Sequence, residues 1–419
     1  MAHALPQRWI TLAVVCIMTV CGCATFDPQS VDEAPFRERT QTQLEGNVRV
    51  TAAVPGAKES RKIFGVSLYD DRVQPIWLEI ENRDDDPVWF LPLGLDPDYF
   101  TPFEAAYLNH FVTGTYRNEE MNRFFHERGM GIYLAPGSVR SGFAFTQKDL
   151  GTKEFTVDLI GEDHQLRSFT FFIDVPGLRA DHHEIDFDEL YQKDEVVSLD
   201  EKGLTRALKN LPCCTTNKKN TAQGDPLNLI VIGDEEDLFH AFIRSDWDET
   251  ETIYTSSAWK TFVSFLFGGR YRYSPVSTLY VYGRPQDLAL QKARDTIHER
   301  NHLRLWLSPM RFEGEPVWVG QISRDIGVRF TSKTIVTHKI DPDVDETRDY
   351  LLWDLLYSQG LTKFAYVKGT EAAPFSEPRS NLTGDPYFTD GYRAVLWVSS
   401  DPVDLEEVEF VKWGVPPGL

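Results

Sequence analysis

The sequence predicts a multidomain protein in which an all-β sandwich is followed by a mixed α/β domain. The chain has 419 residues, 42% of them hydrophobic, and this length and composition are typical of two or three globular domains. Residues 46–178 contain short apolar runs with a period of two, which indicates strands. From residue 225 onward such runs alternate with segments of helical period, which indicates an α/β domain.

An apolar run near the N-terminus predicts a signal peptide over residues 1–22. The run extends from Trp9 to Val20 and follows a short stretch that carries Arg8. It is too short for a helix that spans a bilayer, and it matches the apolar part of a secretory signal. An ordinary secretory signal or an uncleaved membrane anchor would show the same run.

The residues that end this run resemble a bacterial lipobox, the site at which lipoproteins are cleaved and acylated. They are Val20-Cys21-Gly22-Cys23, with an aliphatic residue three positions before the last cysteine. Cleavage before Cys23 would make its thiol the lipidation site. The sequence therefore predicts a lipid-anchored protein of the bacterial cell envelope, on the outer membrane and facing the periplasm.

The charge of the chain argues against nucleic acid as a partner. The formal net charge is −21, and an acidic surface repels phosphates. The expected partners are the membrane, through the N-terminal lipid, and an envelope ligand or protein that the sequence does not identify. No cofactor or metal is predicted. The chain has no phosphate-binding glycine motif and no G-x-S-x-G elbow.

The segment after the anchor predicts a tether and then a sandwich domain. Residues 23–45 are polar and show no sustained period, so they predict a flexible tether. Within 46–178, the run Ile76–Ile80 alternates as in a strand with one buried face. Several such strands, separated by polar turns, resemble an immunoglobulin-like domain. A helix predicted over 118–128 interrupts them, with Asn118 as its cap.

Residues 179–224 predict an acidic connector that leads into a helix. Nine acidic residues lie between positions 181 and 201, with Lys193 as the one lysine or arginine among them. Such a composition is typical of a solvated linker. Ser198 and Glu201 have the spacing of a capping box, which predicts that a helix begins there.

The adjacent residues Cys213-Cys214 are the cysteines that remain if the signal is removed and Cys23 is lipidated. Neighbouring Cα atoms lie about 3.8 Å apart, which is closer than in most disulfides. Two alternatives stay open: a pair of free thiols in a turn, or a vicinal disulfide that would be redox-active if strained.

Residues 225–415 predict the α/β domain. Leu227–Ile232 is expected to form a buried strand, and Asp234 to cap the helix that follows. Asp341-Pro342 is expected to start another helix, with Asp as cap and Pro at the first position. A helix predicted over Ser257–Phe267 is apolar on all sides, which favours a buried position over one in a membrane interface. Further strands are expected at Val276–Tyr282, Leu303–Leu307 and Val317–Ile322, near Phe364, and at Ala394–Val398.

One motif has the literal form of a zinc-protease signature. In His298-Glu299-Arg300-Asn301-His302, a helix would place both histidines on one face, with Glu299 as the base. However, the residues from His302 onward alternate as in a strand, and two histidines so placed are not one helical turn apart. A zinc peptidase is therefore a minor alternative.

Polar residues at expected strand ends and at a helix N-terminus form a diffuse candidate pocket. Open α/β sheets place their sites at such positions. In this interpretation His302 or His338 is the acid–base group, and Asp325 orients it. The alternative is a set of Arg–Asp pairs that hold loops in place. The candidates are Arg284, Asp287, His302, Arg304, Asp325, His338, Asp341, Asp345 and Arg348.

Five segments of the α/β region resemble a known family. They are NLIVIGDEEDLFHAFIRSDW (228–247), PVSTLYVYGRPQDLALQKA (275–293), NHLRLW (301–306), PVWVGQISRDIGV (316–328) and THKIDPDVDETRD (337–349). In this order they are similar to the LssY C-terminal domain family, over roughly residues 211–400. The resemblance implies a domain that elsewhere often follows membrane-embedded segments, some of them phosphatase-like. It implies no particular reaction.

Together these observations favour a membrane-tethered binding or assembly module that is not an enzyme. A hydrolase of lipid or envelope phosphoesters is the main alternative, and it rests on the segments that accompany the domain elsewhere in its family.

Overall fold

The computed structural model describes residues 26–31, 35–112, 114–162, 164–250, 276–293, 300–329 and 337–417. The lipobox with Cys23, the helix predicted over Ser257–Phe267, and His298-Glu299 lie outside these ranges. The chain divides into two compact units, the first extending to Asp149 and including Phe155–Gly177, the second comprising Leu150–Glu154 and the chain from Leu178 onward. No helix in the described ranges has both the length and the apolar composition needed to cross a bilayer.

The first unit is built on two four-stranded sheets. One has the order β1-β2-β3-β6, with antiparallel neighbours, and the other has the order β5-β4-β7-β8. An immunoglobulin-like arrangement of these strands stays a prediction. The strands are β1 (Gln41–Glu45), β2 (Val48–Ala53), β3 (Val73–Asn82), β4 (Val88–Leu91), β5 (Tyr133–Leu134), β6 (Ser138–Gln147), β7 (Gly151–Gly161) and β8 (Leu166–Val175).

Helices cover one face of the first of these sheets. The ring of Phe64 lies 5.0 Å from those of both Phe125 and Phe143, and Trp77 belongs to the same core. The first half of β3 is therefore buried on both faces, where the sequence predicted one buried face. The helices of the unit are α1 (Ala57–Phe64), α2 (Pro92–Leu95), α3 (Pro102–Leu108) and α4 (Thr115–Arg128).

Two predictions for this unit are wrong. The tether was expected to extend to residue 45, but Phe36 is fully buried and β1 pairs along its length with β2. This strand lacks an apolar alternation because neither of its faces is buried. The helix α4 begins at Thr115, so Asn118 is not its cap. The side chain of Asn118 instead holds the backbone N–H and carbonyl of Phe111, at 3.0 Å each.

The second unit is organised around a large mixed sheet. Its order in the described part is β13-β16-β17-β18-β12-β23-β20-β24, with β9 beside β17 and β19 beside β18. The strand β23 lies between β12 and β20, and it is parallel to β12. The strands of this sheet are β9 (Val197–Leu199), β12 (Leu229–Ile232), β13 (Asp248–Glu249), β16 (Leu288–Ala293), β17 (Arg300–Phe312), β18 (Glu315–Arg329), β19 (Thr337–Ile340), β20 (Leu361–Lys368), β23 (Tyr392–Val398) and β24 (Glu409–Val411).

Smaller elements complete the unit. A four-stranded sheet has the order β11-β10-β14-β15, and β21 pairs with β22. These strands are β10 (Cys214–Thr216), β11 (Gln223–Pro226), β14 (Tyr280–Val281), β15 (Arg284–Pro285), β21 (Arg379–Ser380) and β22 (Pro386–Tyr387). The helices are α5 (Glu201–Asn210), α6 (Glu235–Arg244) and α7 (Val344–Tyr357).

Helices flank the large sheet on both faces. The helices α6 and α7 share one apolar core with Leu303, Leu305 and Leu307, whereas α5 shares a second core with Trp306. This division follows from the strand period of two, because successive side chains of β17 point to opposite faces. The change of period near residue 225 thus correctly predicted an α/β region.

The helix caps were predicted with mixed success. Asp234 caps α6 as expected, since its carboxylate accepts from the N–H of Asp237 at 2.9 Å. The cap of α7 is Asp343, not Asp341, whose carboxylate accepts from the N–H of Asp343 in the preceding turn. The cap of α5 is Asp200, not Ser198. In both cases several acidic or hydroxyl residues compete, and only the one placed just before the first turn reaches its N–H groups.

Part of the predicted acidic connector belongs to the second unit and packs on its core. The ring of Phe187 lies 5.1 Å from that of Trp318, and the hydroxyl of Tyr191 donates to the carbonyl of Leu307 at 2.8 Å. His182 is buried as well. The prediction of a solvated linker is therefore wrong here, because a few aromatic contacts anchor a segment whose composition is otherwise that of a linker.

Candidate functional site

Polar side chains replace apolar ones at one end of the α5 side of the large sheet. Strands β16, β17 and β18 place them there by register: His302 lies opposite both Gln291 and Ser323, and Arg304 lies opposite Gln321. All are buried. Six polar side chains on this part of the sheet form what we call the buried polar face. They are Gln291, Arg300, His302, Arg304, Gln321 and Asp325.

A histidine–carboxylate pair is at the centre of the buried polar face. Nε2 of His302 lies 2.7 Å from Oδ2 of Asp325. Burial lowers the pKa of His302 to about 4, although the carboxylate of Asp325 opposes the shift. The imidazole is therefore neutral at pH 7, with its proton on Nε2 for the hydrogen bond. In this tautomer Nδ1 carries a lone pair, which is what a general base needs.

Two guanidinium groups flank the pair. Arg300 donates to Oε1 of Gln291 at 2.7 Å, and burial lowers its pKa to about 10. Arg304 donates to Oε1 of Gln321 at 2.7 Å and to the carbonyl of Ser277 at 3.0 Å. Burial also lowers the pKa of Arg304. Buried charges of this kind are stable only when they are paired and hydrogen-bonded.

Several polar atoms on this side of the sheet are buried without a hydrogen-bond partner among the described residues. Those at or next to the buried polar face include Nδ1 of His302, Nε2 of Gln321 and Nε1 of Trp306. Buried polar groups are normally satisfied by protein or by water. The arrangement could therefore hold water or a small polar molecule that offers an acceptor to Gln321 and a donor to His302.

A second group of predicted residues forms hydrogen bonds with another part of β17. Arg284 and Asp287 form a two-fold hydrogen-bonded pair at 2.9 and 2.8 Å. Arg284 also donates to the carbonyl of Leu307, and the carboxylate of Asp287 accepts from the N–H of Leu307 at 2.7 Å. Leu307 is five residues along the strand from His302, so a distance of about 16 Å separates the two levels. These bonds hold the loop before β16 to β17.

A third group lies at the start of α7, which packs on the opposite face of the sheet. Arg348 donates to Asp349, to Asp390 and to the carbonyl of Tyr392, each at about 2.9 Å. Asp345 accepts from the N–H of Asp390, and burial raises its pKa to about 6. These bonds fix the loop before β23 against α7.

The single polar pocket predicted from the sequence is therefore wrong as a whole. The structure brings together His302, Arg304 and Asp325, and it places the Arg284 and Arg348 groups elsewhere, because strand register and helix position separate them. The carboxylate of Asp341 accepts a hydrogen bond from the N–H of Asp343, in the turn before α7. His338 lies in β19, and its side chain is outside the described part. Strand parity could have added Arg300 and Gln321, which share the parity of His302 and Asp325.

The zinc-protease motif is incompatible with the strand β17. His298 and Glu299 lie outside the described residues, but Arg300, Asn301 and His302 belong to the strand. A helix that includes all five positions is therefore excluded. The side chain of His302 pairs with Asp325 instead.

The adjacent cysteines are joined by a disulfide at the start of β10. Sγ of Cys214 also lies 3.8 Å from the hydroxyl of Tyr387. Of the two alternatives left open above, the structure has the vicinal disulfide. The pair lies beside the small sheet and is not part of the buried polar face.

Comparison with known protein families gives a match within the second unit. Residues 205–392 match the family model described as the LssY C-terminus. This range contains the whole buried polar face, α6 and α7. No curated protein is significantly similar to the chain. The resemblance seen in the five sequence segments is thus confirmed: residues 205–392, within the second unit, match the LssY C-terminal domain family.

Proposed function

We propose that the chain is a lipoprotein of the bacterial envelope whose LssY C-terminal domain binds an envelope ligand or protein without turning it over. In this proposal Cys23 carries the lipid and the protein faces the periplasm from the outer membrane. The polar atoms Nδ1 of His302 and Nε2 of Gln321, unpartnered among the described residues, support a binding role. The burial of the His302–Asp325 pair argues against turnover. An acid–base pair must reach its substrate, whereas His302 is 5% exposed and Asp325 is 2% exposed.

A phosphoester hydrolase is the second candidate, and one observation favours it. His302 is neutral, its Nε2 is held by Asp325, and its Nδ1 has no hydrogen-bond partner among the described residues. A histidine general base has the same arrangement, with one ring nitrogen held by a carboxylate and a lone pair on the other. Arg300 and Arg304 would supply positive charge for a phosphate group.

Turnover assays on the full mature chain separate the two candidates. The substrates are p-nitrophenyl phosphate, bis-p-nitrophenyl phosphate, p-nitrophenyl butyrate and phosphatidic acid in vesicles. We expect no hydrolysis above the level of His302→Ala. The matched control is His240→Ala, since His240 lies on α6, away from the buried polar face. Hydrolysis that His302→Ala abolishes and His240→Ala retains would overturn the binding proposal in favour of the hydrolase.

The tether is tested by metabolic labelling with palmitate in a bacterial host. We expect label on the wild-type chain and on Cys21→Ser, which keeps the lipobox cysteine. We expect none on Cys23→Ser, which should leave the membrane fraction. Label that persists on Cys23→Ser would contradict the lipid anchor.

A further inference from the structure

Two histidines and a glutamate meet at the edge of the large sheet. His182 and His183 lie on a 3-10 helix, Asp181–Glu184, and Glu249 ends β13, which pairs with β16. This cluster is separate from the buried polar face. It involves the segment that the sequence predicted as a solvated connector, and neither the sequence motifs nor the family match includes the two histidines.

The distances in this cluster are those of ligands around one small cation. Nε2 of His182 lies 3.0 Å from Oε1 of Glu249, and Nε2 of His183 lies 3.7 Å from the same oxygen. The three ligand atoms all lie within 4.8 Å of one another. Tetrahedral Zn²⁺ has ligand bonds of about 2.0–2.1 Å, so its ligand atoms lie about 3.3–3.4 Å apart. The distances of 3.0 and 3.7 Å from the two histidines to Glu249 bracket this value.

The glutamate is held so that one oxygen faces the histidines. Its Oε2 accepts from the backbone N–H of Thr152 at 2.6 Å. Gly151 permits this approach, since a Cβ there would lie 2.0 Å from Oε2. Its Oε1 faces both imidazoles, 3.0 Å from Nε2 of His182 and 3.7 Å from Nε2 of His183. A backbone N–H that orients a ligating carboxylate is typical of the surroundings of metal sites.

The cluster has one closed side and one open side. His182 is 8% exposed and Glu249 is 2% exposed, whereas the side chain of His183 is 40% exposed. His183 lines a cleft of about 460 Å³ whose other walls include Asp186, Asp188 and Glu235. Acidic walls attract cations, and a cleft gives a further coordination position access to solvent or to a ligand.

We propose that His182, His183 and Glu249 bind one divalent transition-metal ion, with Zn²⁺ the best chemical match, and that the remaining coordination position faces the acidic cleft. Two imidazoles and one carboxylate are a ligand set that Zn²⁺ accepts with a position left open. Coordination through Nε2 requires the proton of His183 to be on Nδ1. The long contact from the N–H of Ala180 to Nδ1, 3.4 Å, would then be lost.

The proposal is tested on the full mature chain, purified without a polyhistidine tag and stripped of metal with EDTA. Zn²⁺ is titrated by calorimetry, and the bound metal is counted by elemental analysis. We expect one Zn²⁺ per chain, and a loss of affinity of about 100-fold or more in His182→Ala and in Glu249→Gln. His183→Ala should lose affinity too, and its exposed position makes a folding failure an inadequate explanation.

Matched variants keep the test specific. His126→Ala removes an exposed histidine of α4, in the first unit, and should bind Zn²⁺ like the wild type. Asp237→Asn probes an acidic trio formed with Asp234 and Glu315 in the same unit. The proposal fails if His183→Ala binds Zn²⁺ as tightly as the wild type, or if only Asp237→Asn weakens binding. Substitution with Co²⁺ adds a direct readout, since a tetrahedral site gives strong visible absorption that His183→Ala should remove.

Discussion

Two histidine–carboxylate pairs in one unit have opposite surroundings. The His302–Asp325 pair lies inside the buried polar face, between two arginines. The His182–Glu249 pair lies at the sheet edge, beside a second histidine and an acidic cleft. The same two side-chain types thus form a buried charge network in one place and a solvent-accessible ligand set in the other. We call His302–Asp325 the closed pair and His182–Glu249 the open pair. The difference teaches that neighbours and access, rather than the pair itself, decide what such a pair can do.

The largest effect should follow from removing the carboxylate of the closed pair. Asp325→Ala leaves the positive charges of Arg300 and Arg304 buried with less compensation. Removing one partner of a buried charge network costs about 3–5 kcal/mol. The free energy of unfolding, measured in urea by tryptophan fluorescence, should fall by that amount. The control Glu371→Gln breaks an exposed pair with Arg379 and should cost less than about 1 kcal/mol. Equal costs for the two variants would contradict a closed network.

The pH dependence of stability should carry the signature of His302. Its pKa is about 4 in the folded chain and about 6.5 in the unfolded chain. Between these values the unfolded chain binds more protons, so stability falls as the pH falls from 6.5 to 4. The contribution of His302 is at most about 3 kcal/mol. Asp345 acts in the opposite direction, because burial raises its pKa to about 6.

This dependence is measured as a difference between variants. Urea unfolding of the wild type and of His302→Asn at several pH values isolates the contribution of His302, since Asp345 is present in both. The variant should lose less stability than the wild type on acidification. Parallel curves would show that the imidazole titrates normally in the folded chain.

Zn²⁺ should raise the Tm of the protein, and this rise should depend on the open pair but not on the closed pair. A ligand at 100 times its Kd adds about 2.7 kcal/mol, which is a rise in Tm of roughly 5–10 °C for a unit of this size. Calorimetric scans with Zn²⁺ should show this rise for the wild type and for His302→Asn. The rise should be absent in His182→Ala. A rise of the same size in His182→Ala would place the metal elsewhere.

The smallest effect should come from the cleft wall. Asp188→Asn removes one exposed charge from the wall of the cleft that His183 lines. The backbone N–H of residue 188 can still donate to the carboxylate of Asp186. We expect the Kd for Zn²⁺ to rise about two- to five-fold at low salt, and less at high salt. Asp194→Asn, in the same segment but outside the cleft, is the matched control. Equal changes in both variants would indicate a general charge effect.

The sequence predicted the order of the elements better than the contacts between them. The alternation from His302 to Leu307 and the cap at Asp234 are local patterns, and both predictions are confirmed. The partnership of His302 and Asp325 was predicted as part of a larger pocket. Its isolation from Arg284 and Arg348 depends on strand register and on the position of α7, which local patterns do not encode.

The open pair was beyond prediction for a different reason. His182 and Glu249 are far apart along the chain, and the histidines lie in a segment with the composition of a linker. The apolar residues Phe187, Leu190 and Tyr191, which pack against the core of the second unit, hint at an ordered structure. An aromatic residue in an acidic stretch carries this signal, but its partner cannot be identified without the fold.

The position of β23 between β12 and β20 matters for anyone who expresses the LssY C-terminal domain alone. A fragment cut at the family boundaries, residues 205–392, would keep one residue of β23 and lose Asp200, the cap of α5. The strands β12 and β20 would then each expose a largely apolar edge with unpaired N–H and carbonyl groups. Such edges recruit other chains. Soluble production of this domain therefore requires the chain beyond the family match, at least through Val411 in β24.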